Sequence, residues 1–259
     1  MCYYPPILIT SAVKVSSSIS KLRNKEIRVN LTLAAIKNWL LIDKEIKIVI
    51  CDGSGVDFSK KIFSHFPGSN IEFLCFKNNQ ALVAKYGTGY GEGEIIKYAI
   101  SHSFILKNAP VFAKCTSKLN IGNFKKIVKN FNGQFICQCT FSNVRIIRTF
   151  FNSKAVESAK LLNIDTRFYI VKKDIYMKFF KYTYKKVRPE KKYYLEHAFY
   201  NDAIEGKMKN FIADFPFLIT GVSGTLNNEY PRIGILKYYK YLVDFRFLKG
   251  IKHYKKLFI

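Results

Sequence analysis

The first 76 residues alternate short apolar runs with segments of helical spacing, and this alternation restricts the fold more than any other feature of the chain. Ile7 to Thr10 is an apolar run after Pro5-Pro6 and reads as a first strand. Over Glu26 to Ile42, apolar residues recur at Ile27, Leu31, Ala34, Ala35, Leu40 and Leu41, with Lys37 and Asn38 on another side, which is helical spacing. Ile46 to Cys51 has the composition of a buried strand. Asp57 to Phe66 reads as a short helix and Ile71 to Phe76 as a third strand. Strand, helix, strand, helix, strand in that order predicts a parallel α/β sheet.

Downstream, Gly87 to Glu94 is the most glycine-dense segment, and it runs into a predicted helix over Ile95 to Leu106. Val111 to Cys115 reads as another strand and Phe124 to Asn130 as a short basic helix. The second half is less regular. Phe135 to Cys139 and Val144 to Phe151 are strand-type runs, Ser153 to Leu162 and Tyr193 to Ile204 read as helices, and Phe217 to Thr220 as a last short strand. No repeat and no low-complexity linker divides the chain. The simplest partition is one α/β unit over 1–230 and a basic extension over 231–259.

Composition narrows the class. The chain has 259 residues, a net charge of +25, 23 Phe and 17 Tyr, and 49% hydrophobic residues. So much apolar and aromatic material excludes disorder as the main state, and the length makes disulfide staples unnecessary. The charge implies an anionic partner: nucleic acid, an anionic bilayer or phosphorylated small molecules. None of the six cysteines forms a C-x-x-C pair, and most sit in apolar runs, so they read as reduced and buried, which points to the cytosol. The N-terminus lacks the pattern of a signal peptide, and no apolar stretch is long enough to span a bilayer.

Four segments are candidates for chemistry. Asp52 and Ser54 follow the second strand, at the carboxyl end where open α/β sheets bind ligands; Asp-Gly-Ser is equally ordinary turn chemistry. The glycine-rich segment matches neither G-x-x-x-x-G-K-[ST] nor G-x-G-x-x-G, so it reads as a substrate-site loop or a structural turn. Lys114, Thr116 and Lys118 lie at another strand end and suit a diphosphate, or form a solvated loop. Glu196, on a helix among aromatics, has the setting of a general base whose pKa desolvation raises; a Glu-His pair is also common on surfaces. No Asp-x-Asp, no G-x-S-x-G and no paired His or Cys ligands occur.

Taken in order, several segments resemble small bacterial glycosyltransferases of lipopolysaccharide and capsule loci. They are Arg28 with Thr32 to Ile36, Ile48 to Ser54, Lys85 to Glu94, Lys114 to Asn120, and Leu195-Glu196-His197-Ala198-Phe199. The resemblance covers roughly residues 7–225. The chain departs from the pattern at Ser117-Lys118, where Gly-Arg is typical, and at Thr88, where Lys is.

The resemblance implies a GT-A-like, Rossmann-type α/β domain with a mostly parallel central sheet. Residues 1–130 would bind the nucleotide-sugar donor and 131–230 the acceptor. It implies that Asp52, Ser54, Lys85 and Gly89 contact the donor, as do Lys114, Thr116, Lys118 and Asn120. Glu196 would be the base, acting on a lipopolysaccharide, capsule or other surface glycan or glycolipid. Positive side chains, Lys114 and Lys118, would take the place of a divalent metal, so no cofactor is expected. The tail 231–259 carries eight Lys/Arg against Asp244, interleaved with Tyr, Phe, Leu and Ile, and 172–192 carries nine against two acids. Both suit the anionic inner face of the plasma membrane, with the protein cytoplasmic and peripheral. A helix packed on the core is the alternative for the tail. The rival function is nucleic-acid binding through the basic, aromatic surface. Against it, the charge is spread, +11 over 1–130 and +14 over 131–259, without a recognisable nucleic-acid module, so no specific nucleic acid is expected.

Overall fold

The computed structural model describes residues 4–15, 20–141, 161–224, 227–230 and 233–250. A six-stranded sheet with order β3-β2-β1-β4-β7-β6 forms its centre. The strands are β1 Ile7–Ser11, β2 Ile48–Asp52, β3 Ile71–Cys75, β4 Val111–Thr116, β6 Phe135–Phe141 and β7 Leu161–Lys172. β1, β2, β3 and β4 are mutually parallel, with Ile7 opposite Ile48 and Ala113. β7 is antiparallel to both β4 and β6, so β6 runs with the parallel set. The sheet is therefore mixed α/β and partly parallel: β1 to β4 pair in parallel, while β7 pairs antiparallel with both of its neighbours.

Every residue of β1 and β2 is buried, as it must be when helices cover both faces. Alternate side chains serve opposite faces. Ile7, Ile9, Ile48 and Ile50 pack with Val29, Ile36 and Trp39 of helix α1 (Lys25–Ile42). Leu8, Val49 and Phe112 pack on the other face with Ile96 and Ala99. Asn24 caps α1, its Oδ1 accepting from the Ile27 amide at 3.0 Å. Helix α2 spans Ser59–His65.

The glycine-rich segment is helix, not loop. Helix α3 (Gln80–Tyr86) ends at Gly87, whose φ of +84° with ψ near −174° is open to glycine alone. Helix α4 (Thr88–His102) then starts at once and contains Gly89, Gly91 and Gly93. The glycines permit close packing: a Cβ on Gly93 would lie 2.1 Å from the Tyr184 Cβ, and one on Gly89 3.0 Å from the Leu195 Cβ. The expected helix Ile95 to Leu106 is thus the end of α4, broken at Ser103, plus the short α5 (Phe104–Lys107).

A second sheet of three antiparallel strands, β5-β8-β9, sits beyond the end of β4. It comprises β5 Leu119–Ile121, β8 Ile219–Val222 and β9 Glu229–Tyr230. Helix α6 (Phe124–Lys129) matches its expected position. The long β7 has no counterpart in the sequence reading, and Leu161 and Leu162 belong to it rather than to a helix. The expected strand Val144 to Phe151 and the rest of that helix lie outside the described residues.

Residues 172–192 form short helical turns whose Tyr176, Phe180 and Tyr184 are buried in the core, so their aromatics are largely not a surface array. Helix α7 (Leu195–Glu205) packs Phe199 and Ala203 on the same core. Helix α8 (Ile235–Gly250) docks through Asp244 and Phe245, while Ile235, Leu236 and Tyr239 are exposed. Among the described residues, no helix is long and apolar enough to cross a membrane. The six-stranded sheet takes strands from both sides of residue 130.

Candidate functional site

Strand ends at one edge of the sheet open into a cleft. Thr10 and Ser11 close β1, Gly53 follows β2, and Thr116, Ser117 and Lys118 close β4; all line a cavity of about 270 Å³. The carboxyl ends of parallel strands are where α/β sheets receive ligands, because the connecting loops diverge there. A second cavity of about 550 Å³ adjoins it, lined by Tyr86, Thr88, Asp165, Pro189 and Tyr194. Thr88, Glu92, Thr166, Arg167, Glu196 and Tyr230 line both and mark the junction.

The first lobe contains unsatisfied polar groups. Thr10 Oγ1, Ser11 Oγ and Asn78 Oδ1 are buried without a hydrogen-bond partner. Leaving such groups unpaired costs about 1–3 kcal/mol each, and all three residues line the lobe. Besides the exposed Lys14 and the Asp165-paired Arg167, two buried cations line it. Arg28 reaches from α1, its Nε donating to Ala12 O at 2.8 Å and its Nη1 to Leu22 O at 2.9 Å. Lys118 sits in the turn after β4 at φ +76°, its Nζ donating to Ser117 Oγ at 3.0 Å. Neither forms an ion pair with a carboxylate among the described residues. Burial, then the nearby Arg28 charge, pushes the Lys118 ammonium down to about 7.

Lys114 behaves differently. It is fully buried beneath the cleft, and its Nζ donates to Glu92 Oε1 at 2.6 Å, Thr116 Oγ1 at 2.8 Å and Thr166 O at 2.8 Å. Its three donors are therefore committed. Thr166 Oγ1 in turn donates to Glu196 Oε1 at 3.3 Å. Burial, with smaller contributions from the Glu92 and Asp165 charges, raises the Glu196 carboxyl above its ordinary range. Glu92 and Glu196 are thus two carboxyls at one junction in different settings, one paired with a lysine and the other desolvated and poised to keep or take a proton. His197 turns away from Glu196: its Nδ1 accepts from the Tyr194 amide at 3.0 Å and helps cap α7.

The expected site residues distribute unevenly. Thr116, Lys118 and Glu196 line the first lobe, and Gly89 and Glu196 the second. Asp52 is completely buried behind the first lobe. It accepts from the Val13 amide at 2.9 Å, the Ser54 amide at 2.8 Å and the Ser54 hydroxyl. Asp52 and Ser54 thus shape the loops around the cleft but do not line it. Lys114 lies under the floor, paired with Glu92, and is not free for a diphosphate. Lys85 is exposed on α3, its Nζ 5.2 Å from the Tyr86 ring centroid, and lines neither lobe. Asn120 faces another side, its Oδ1 accepting from Asn38 Nδ2 at 2.7 Å.

Thr10, Ser11, Asn78, Asp165, Arg167 and Tyr230 line the two lobes without being singled out by the sequence. Arg167 forms a two-pronged pair with Asp165, and its guanidinium lies 4.4 Å from the Tyr230 ring centroid. Thr10 and Ser11 did carry a signal, being polar residues at the end of an apolar strand. Arg167 and Tyr230 carried none, because the strands that position them were not legible. Among the described residues, no three His, Cys, Asp or Glu side chains gather as metal ligands.

Fold and site together define a mixed α/β protein with a polar, cationic cleft at the carboxyl ends of its parallel strands. No protein-family model and no curated protein matches the chain. Among solved structures it is similar to a protein of Desulfovibrio desulfuricans G20 described as a nucleotide-diphospho-sugar transferase (13% identity, TM-score 0.45, 78% of this chain and 76% of that one). It is also similar to a glycosyltransferase involved in glycosylating the major capsid of PBCV-1 (12% identity, TM-score 0.42, 81% and 80%). A third is the mannosyltransferase Ktr4p of S. cerevisiae (10% identity, TM-score 0.41, 74% and 62%). Likeness this partial carries no weight for the activity, which is read from the cleft.

Proposed function

We propose that the chain is a glycosyltransferase of GT-A-like build that moves a sugar from a nucleotide-sugar donor to a surface-glycan acceptor. The observation behind this reading is the pairing of two chemistries in adjoining lobes. Arg28 and Lys118, both without a carboxylate partner, occupy the lobe at the strand ends, and Glu196 with its raised pKa stands at the junction. Such a lobe suits the diphosphate of a donor, and the unsatisfied Thr10, Ser11 and Asn78 suit the hydroxyl and carbonyl groups of its nucleoside or sugar.

In an inverting displacement, the acceptor hydroxyl oxygen bonds to the anomeric carbon as the bond from that carbon to the phosphate oxygen breaks. The hydroxyl proton passes to Glu196 and the nucleoside diphosphate leaves with the electron pair. Arg28 and Lys118 stabilise the charge that develops on the leaving oxygen. In this reading they stand where Lys114 and Lys118 were expected, and turnover needs no divalent metal. The exposed face of α8, with Lys237 beside Leu236, holds the protein on the anionic inner face of a bacterial plasma membrane, on the cytoplasmic side.

Thermal-shift titration against a panel of nucleoside diphosphates and nucleotide sugars tests the reading. A saturable shift with one nucleotide, lost in Arg28→Met, is expected. No shift with any member of the panel would overturn it. Activity abolished by EDTA and restored by Mn²⁺ would overturn metal independence alone.

A further inference from the structure

Beside the second lobe lies a cluster of cations gathered on two tyrosines. Tyr86 lines that lobe. Lys85 Nζ lies 5.2 Å and the Arg188 guanidinium 5.5 Å from its ring centroid. Arg188 Nη1 also donates to Lys185 O at 2.9 Å, which joins this pair to the next group. There the ring of Tyr182, half exposed, has Lys97 Nζ at 5.7 Å and Lys181 and Lys185 Nζ each at 5.2 Å.

Five cations thus converge on two rings, and none of them forms an ion pair among the described residues. Glu94 acts electrostatically on Lys97, but its Oε2 accepts from the Asn79 amide at 3.1 Å. Lys186, in the same segment, shows the alternative: it pairs with Asp202 and Glu205. Ring faces offset part of the repulsion among like charges, and the remainder favours a polyvalent anion. Val187 and Pro189, from the same segment, line the lobe with Tyr86, so an anion held by the cluster lies next to whatever occupies that lobe.

We propose that this rim is an acceptor subsite for a glycan that carries phosphate or carboxylate groups. The proposal rests on the glycosyl-transfer reading and adds the charge class of the acceptor. An uncharged glycan gains nothing from the rim. A flat anionic surface is a poorer fit than a chain, because the cluster lies beside a recessed lobe.

The test is fluorescence anisotropy of the full-length chain with a labelled oligosaccharide bearing phosphomonoesters, against its phosphatase-treated form. The phosphorylated form should bind about tenfold or more tightly, with an affinity that falls as salt rises. Lys97→Ala/Lys181→Ala/Lys185→Ala should lose that advantage, and the corresponding triple Arg variant should keep it. The alanine variant should keep the wild-type thermal shift with nucleotides, which also shows that it is folded. Failure to bind the phosphorylated glycan, or equal affinity for both forms, would overturn the proposal. So would phosphatidylglycerol vesicles or duplex DNA losing more affinity than the glycan does in the alanine variant. If nucleotides shift the protein and the glycan is ignored, only the subsite falls. If nucleotides fail as well, the glycosyl-transfer reading falls with it.

Discussion

Lys114 Nζ and Glu92 Oε1 lie 2.6 Å apart, with the lysine fully buried and the carboxylate at the junction of the two lobes. This pair links the sheet to the site. Through Thr166 it reaches Glu196, so the charge state beneath the cleft bears on the group at its junction. Lys114→Met leaves Glu92 without its counter-ion, and breaking a buried pair from one side costs about 3–5 kcal/mol. Urea denaturation should show that loss. Lys114→Met/Glu92→Gln should recover part of it, and a double variant no more stable than the single one would remove the pairing from this role.

Glu196→Gln separates chemistry from stability. The folded-state pKa of Glu196 is raised, chiefly by burial. Its ionisation therefore costs the fold nothing at acid pH, where it is protonated in both states. The cost grows as pH rises past the unfolded value and is complete above the folded one. Glu196→Gln should melt above the wild type at neutral pH and level with it near pH ~4. Turnover should fall by about 10²–10⁴ while nucleotide binding stays. Full turnover in this variant would exclude Glu196 as the base.

Lys118 titrates in the opposite sense. Its folded-state pKa of about 7 lies below the ordinary 10.5. The folded chain thus binds fewer protons than the unfolded chain between those values, and stability rises with pH across that window. A diphosphate bound beside Lys118 favours the ammonium form. Calorimetry of nucleoside diphosphate binding at pH ~8, in buffers of different ionisation enthalpy, should show proton uptake. Lys118→Met should abolish the uptake and weaken binding. Buffer-independent heats in the wild type would show that the lysine does not meet the anion.

Gly93→Ala tests the packing of α4. Alanine gains about 1 kcal/mol of helix propensity over glycine. Here its Cβ would meet Tyr184 at 2.1 Å, and overpacking costs typically about 1–3 kcal/mol. A lower denaturation midpoint is expected, and a higher one would mean that the Tyr184 segment yields freely.

The exposed face of α8 allows a clean membrane test. Leu236 is 87% exposed, Lys237 is also exposed, and the helix is held elsewhere by Tyr241 Oη donating to Ala213 O at 3.0 Å. Leu236→Glu/Lys237→Glu should keep the melting temperature and reduce flotation with anionic vesicles, each basic residue near such a surface being worth about 1 kcal/mol. Unchanged flotation would point to another attachment.

The parallel half of the sheet was legible because β1 and β2 are apolar runs up to their polar carboxyl ends. Helix α1 was legible as a helix but not by its buried face, since Val29, Leu33, Ile36 and Trp39 pack inward while Ile27, Ala34 and Leu41 of the apparent stripe are exposed. Glycine density misled: Gly89, Gly91 and Gly93 suggest a loop by composition, yet close contacts with neighbours hold them in a helix. β7 escaped notice because polar Asn163, Asp165, Thr166 and Arg167 interrupt its apolar residues, and those four face or adjoin the cleft. Lys114 has the sequence context of a strand-end phosphate ligand; only the position of Glu92 one helix away reveals that its charge is already matched.

The placement of β7 also has a meaning in time. β4 and β6 are close in sequence, yet β7, which follows both, lies between them. A chain emerging from the ribosome therefore completes β4 long before the strand that pairs with its outer edge, and Lys114 waits for its bond to Thr166 O just as long. Non-local pairing of this kind forms late and slowly. The cleft floor is thus assembled only once β7 has emerged, and a nascent chain stalled before residue 161 carries the β1–β4 strands but no finished site.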